Sequence, residues 1–112
     1  MKLVHLDSLP QIGVSHNSDI KKKVFIENGD IKNLTTFATA TFKPGQSVEL
    51  HKHETMYEVF YILNGKVDFM VENEKLTLTT GDCITIEPNE IHNQSNPYDQ
   101  DVKWLYFGIA IS

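Results

Sequence analysis

Residue types that hold metal ions fall close together in the stretch ELHKHETMYEVFYILNG, Glu49 to Gly65. His51 and His53 are two apart, and Glu58 follows five residues later. In an extended strand, residues two apart share a face, so both imidazoles project together with Lys52 opposite. The short connection from Glu54 to Tyr57 brings Glu58 to the start of a second strand. If the two strands pair, the carboxylate reaches the space between the imidazoles. Two nitrogens and one oxygen suit a divalent first-row metal ion with open positions. A fourth candidate, His92, follows Pro88-Asn89 and heads a further strand. His5 and His16 lie in the irregular N-terminal stretch and read as exposed histidines.

The elements that must position these groups are strands. No window carries a capped helical stripe. Short alternating or apolar runs recur instead, separated by turn residues. KKVFIE leads into Asn28-Gly29, LTTFATATF ends at Pro44-Gly45, and SVELHKH precedes YEVFYIL. Asn64-Gly65 reads as a hairpin turn because Asn-Gly tolerates positive φ. KVDFMV turns into LTLT, Gly81-Asp82 into CITIE, and IHNQS and VKWLYFGIAI follow. Turns every 8–12 residues predict an all-β sandwich or barrel. Residues 21–112 form this single domain, and residues 1–20 supply an edge strand or an arm onto a partner subunit.

Composition narrows the function classes. At 112 residues the chain is one domain with one core. Its net charge of −5 opposes a nucleic-acid surface, which needs a basic face. Lys21-Lys22-Lys23 reads as a solvated strand entry. No apolar run is long enough to span a membrane, and the N-terminus is a poor secretory leader. The lone Cys83 excludes an internal disulfide and reads as a small buried strand residue. A cytoplasmic protein is expected. All ten basic residues are lysine. Without arginine's planar fork, a phosphorylated or dicarboxylate substrate is less favoured.

The spacing of these residues resembles the cupins. Their first motif is matched by Gly45, five residues, His51-Lys52-His53, four residues, Glu58, six residues and Gly65. Five fixed positions coincide by chance on the order of once in ten thousand chains of this length. The second motif is matched at Gly81, His92 and Asn96, with Glu87 in place of its proline and Asn89 in place of its glycine. Asn89 tolerates the left-handed turn that the glycine would make. The resemblance implies a double-stranded β-helix, or jelly-roll, barrel. It also implies that His51, His53, Glu58 and His92 ligate one divalent ion: iron, manganese, nickel, cobalt, copper or zinc.

Strand parity extends this site into a pocket. Phe60 and Ile62 share the face of Glu58, Phe69 faces in from the next strand, and Gln94 shares the face of His92. That predicts an apolar, aromatic pocket for a small-molecule ligand, with Gln94 as its polar handle. Tyr57, Val59, Tyr61 and Leu63 form an apolar opposite face, to be covered by the second sheet or by a twin subunit. Cupins commonly pair by their sheets, so a homodimer is expected. No separate catalytic acid or base is evident, and any reaction would be metal-centred. The preferred reading is a small metal-dependent enzyme, oxygenase-like with isomerase or lyase chemistry as near alternatives. The other is a non-catalytic binding or sensor module.

Overall fold

The computed structural model describes all residues, 1–112. A 3-10 turn at Leu6–Ser8 is its only helical element. Nine strands follow: β1 (Ile12–Val14), β2 (Asn17–Ile26), β3 (Leu34–Phe42), β4 (Met56–Asn64), β5 (Lys66–Val71), β6 (Glu74–Thr79), β7 (Cys83–Ile86), β8 (His92–Ser95) and β9 (Val102–Ala110). They form two antiparallel sheets, one of six strands in the order β1-β2-β3-β9-β4-β7 and one of three in the order β6-β5-β8. Together these make a jelly-roll barrel. β1 is the edge of the larger sheet, and β2 continues through residue 20 without a break. No helix is long and apolar enough to cross a membrane.

Alternation along the strands builds the interior. On β4, Glu58, Phe60 and Ile62 are buried while Tyr57, Tyr61 and Leu63 are exposed. Opposite them, β9 buries Val102, Trp104 and Gly108. Phe69 of β5 is fully enclosed and meets Phe60 edge-on at 5.1 Å between ring centres. Trp104 packs on Phe42 at 4.5 Å. Such aromatic pairs contribute beyond the area they remove from water, and the Phe60–Phe69 pair locks one sheet against the other below the site.

Turn chemistry was legible, but some turns serve another purpose. β5 and β6 form a true hairpin through Glu72-Asn73, both at positive φ (47° and 68°). Asn64-Gly65 does not make the expected hairpin, because β4 and β5 belong to different sheets. It is a corner, and Gly65 is required there: its φ is 110° and a Cβ would meet the Asp101 carbonyl oxygen at 2.8 Å. Gly81-Asp82 likewise carries the chain from β6 in the small sheet to β7 in the large one.

Two further expectations are corrected. SVELHKH is not a continuous strand: it touches the small sheet through isolated bridges at Ser47–Ser95 and His51–His92. Cys83 is exposed rather than buried. It starts the edge strand β7 opposite Tyr61, on the outer face of the large sheet. The small sheet closes the inner face and leaves that outer face open, with Tyr57, Tyr61, Leu63 and Ile109 each about two-fifths exposed.

The motif ends are structural. The Gly45 N–H donates to the Asn96 carbonyl at 2.7 Å. The buried Asn96 carboxamide donates to the carbonyls of Phe42 and Gln100 and accepts from the Tyr98 N–H. These bonds pin the strand that carries His92 to the turn before His51.

Candidate metal centre

The four candidate ligands come from three places in the fold. His92 heads β8, and His51 is bridged to it across the segment beside the small sheet. His53 lies two residues on, where its carbonyl accepts the Asn89 N–H at 2.8 Å. Asn89 adopts the left-handed conformation anticipated for it (φ 71°). Glu58 arrives from β4 in the opposite sheet. Its strand pairs with β7 and β9, so the expected pairing with the His51 segment does not occur. Convergence is across the barrel. One ligating atom from each of His51, His53, Glu58 and His92 lies within 4.8 Å of the others.

Hydrogen bonding sets the aim of the rings. His51 Nδ1 lies 2.9 Å from the Glu49 carbonyl, and His92 Nδ1 lies 2.9 Å from the Glu90 carbonyl. A carbonyl oxygen cannot donate, so both Nδ1 atoms carry the proton. In the neutral ring each Nε2 then keeps a lone pair for the site, which is the arrangement a metal-ligating imidazole requires. Glu58 Oε1 stands 3.1 Å from His92 Nε2 and 3.2 Å from His53 Nε2. Lone pairs on nitrogen and carboxylate oxygen repel at that distance unless a proton or a metal cation lies between them. The donor set therefore fits a divalent cation.

The electrostatics agree with that requirement. Burial alone would raise the Glu58 carboxyl, but the hydrogen bonds and charges of His53 and His92 hold it at about 2. Burial opposes charge on His92, yet Glu58 and the Glu90 carbonyl raise its pKa above the ordinary histidine value. Burial lowers that of His51, reinforced by the neighbouring His92, His16 and His53 and opposed by its bond to Glu49. His92 is completely enclosed.

A cavity of about 560 Å³ opens beside the cluster, within the range of small-molecule sites. Phe60 and Gln94 line it. Ile62 and Phe69, also expected on the wall, lie deeper in the closed core at 0% exposure. Phe69 is covered there by the Phe60 and Trp104 rings, and Ile62 stands one step further along β4 than Phe60, paired with Trp104.

Three further wall residues bear on the chemistry. Tyr106 of β9 pairs with Phe60 and stacks on it at 5.7 Å. Burial, with the Glu58 charge, pushes its phenol up to about 12, so it remains a hydrogen-bond donor at any physiological pH. Lys22 is not part of a uniformly solvated run: it pairs with Ala40 on the inner face and lines the cavity. The alternation Ile20-Lys22-Val24 held that signal. His16, though exposed, stacks on the His51 ring at 3.9 Å. Nothing local announces this, because it depends on how β1 folds back on β2.

Known proteins are similar to this chain over its central part. Residues 38–108 match the family described as the cupin domain. An oxalate-binding protein of Thermotoga maritima is 35% identical over 69 residues, which is 62% of this chain and 57% of that protein. An uncharacterised protein of Methanocaldococcus jannaschii is 38% identical over 61 residues, 54% of this chain and 49% of that one. The chain thus spans about half the length of these curated relatives. A crystal structure described as a predicted oxalate decarboxylase, also from Thermotoga maritima, superposes with a TM-score of 0.90 at 23% identity, covering 98% of this chain and 100% of that one. At that identity the likeness shows the fold.

Proposed function

The chain belongs to the cupin domain family, and from that premise we propose that it is a small metal-dependent enzyme acting on a small organic molecule held beside its metal ion. His51, His53, Glu58 and His92 would hold one divalent first-row ion. The observation that carries this reading is the convergence of their ligating atoms within 4.8 Å, with two imidazoles already fixed in the ligating tautomer. Such an ion supplies Lewis-acid polarisation and activation of bound water or dioxygen. With four protein ligands, such an ion would keep open positions for substrate. The protein's own part is to orient the ligands through the Glu49 and Glu90 carbonyls, and to wall the cavity with Phe60 and Tyr106. Oxygenase-like chemistry suits this arrangement, because no carboxylate or imidazole outside the ligand set stands enclosed beside it as a separate acid or base.

A second reading is favoured by one observation, the relative named for binding oxalate rather than for converting it. In that reading the same centre holds a small acid without turning it over. Metal analysis of the purified protein, followed by oxygen uptake and product analysis with oxalate, catechols, flavonols, β-diketones and thiols, separates the two. Turnover of any member supports the enzyme. A metal-loaded protein that binds oxalate and transforms nothing supports the binding module.

The open outer face of the large sheet supports a homodimer. Tyr57 and Ile109 are cross-strand partners there, as are Tyr61 and Leu105. An apolar surface of this kind is stabilised by cover.

A further inference from the structure

Resting on the metal-and-cavity reading above, we infer that Gln94 and Tyr106 form a neutral clamp for the far end of a two-ended oxygen compound, a small dicarboxylate, whose near end faces the four-ligand cluster. Gln94 is 94% buried, its exposure being 6%. Its carboxamide makes no hydrogen bond within the chain, and neither does the Tyr106 hydroxyl, although every fully enclosed side-chain nitrogen and oxygen in the protein has a partner. The polar atoms of both residues therefore border the cavity rather than the core, and both residues line it. Facing the cavity, these atoms have only solvent to bond to, and a ligand that reproduces those bonds can take its place.

Their placement makes them a pair. Gln94 follows His92 by two residues on β8, and Tyr106 is the cross-strand neighbour of Phe60, which follows Glu58 by two on β4. Each is one same-face step, roughly 7 Å, further into the barrel than the ligand on its own sheet. Gln94 is in register with Phe69 and Tyr106 with Phe60, and those two rings meet across the barrel at 5.1 Å, so the pair stands at one level on opposite sheets, as Glu58 and His92 do one level above. The phenol offers one donor and the carboxamide two. A carboxylate, with about four acceptor sites, is a small group able to accept from both. The surrounding wall of Phe60 and Trp104 is apolar, which strengthens such bonds. Lys22 adds a cation to the same cavity wall. A chain with no arginine can thus hold a carboxylate without a guanidinium fork.

The test titrates metal-loaded protein with acetate, oxalate, malonate and succinate, in wild type, Tyr106→Phe and Gln94→Leu. Metal content and unfolding temperature are read on the same samples. In the wild type at least one dicarboxylate binds roughly tenfold or more tighter than acetate. Both variants keep the metal and the acetate affinity, and the preference for the dicarboxylate shrinks roughly tenfold in each. Tyr106→Phe loses only an oxygen, so it stands even if Gln94→Leu disturbs packing. A wild type that binds acetate as tightly as every dicarboxylate overturns the clamp, as does a preference that survives Tyr106→Phe. A wild type that takes up no metal overturns instead the reading on which the clamp rests.

Discussion

His51 and His92 face each other across an isolated antiparallel bridge in which each backbone N–H donates to the other's carbonyl at 2.9 Å. Each ring also uses its Nδ1 in the same way, on the carbonyl two residues before it. The two imidazoles are thus held by matching bonds on paired backbones, and their Nε2 atoms are aimed before any ion arrives. Preorganisation of this kind is what raises the affinity of a metal site.

Loss of one ligand should be severe. His53→Ala lowers metal affinity by at least about a hundredfold, more than loss of an outer-shell partner, while His5→Ala leaves it unchanged. Competition titration against a chromophoric chelator measures both. Equal affinity in the two variants would contradict the ligand assignment.

Proton competition gives the pH dependence its sign. Glu58 is ionised above about 2, so it does not limit metal uptake near neutrality. His92, raised above its ordinary value of 6.5, must lose its proton before it can ligate. Metal affinity therefore climbs with pH through 6.5 and levels only above the raised His92 value. Without metal, the Glu58 contribution to stability is present above 4.5 and lost as pH falls through about 2. The His92 contribution is present below 6.5 and lost as pH rises through its raised value. Calorimetric unfolding of metal-free protein across pH tests the second part. A metal affinity flat with pH contradicts the first.

The closed core beneath the cavity is a stability element. Phe69→Ala removes a fully buried ring that touches Phe60 and Trp104, and it costs about 3–5 kcal/mol. Urea unfolding checks this, and a loss below about 1 kcal/mol would mean the ring is not packed as described.

The outer face should mediate self-association. Sedimentation velocity gives a dimer for the wild type and a folded monomer for Tyr61→Glu, which places a charge at the middle of that face. A monomeric wild type contradicts the dimer.

The sequence carried the local rules well. Spacing drew attention to His51, His53 and Glu58, the turn at Pro88-Asn89 and the family resemblance added His92, and alternation marked the strands and put Phe60 and Gln94 on the cavity side. What it could not carry was set by sheet closure. Asn64-Gly65 has hairpin chemistry, yet whether β4 meets β5 or turns a corner depends on which sheet each joins. Tyr106 reaches the wall beside Phe60 only because β9 pairs with β4. Cys83 has the pattern of a buried strand, but an edge position opposite Tyr61 exposes it.

Anomalous diffraction from crystals grown with a divalent first-row metal tests the centre most directly. One strong peak bounded by the Nε2 atoms of His51, His53 and His92 and by Glu58 Oε1 is the expected result. Ordered side chains at this site with no anomalous density between them, in crystals holding the same metal elsewhere, would contradict it.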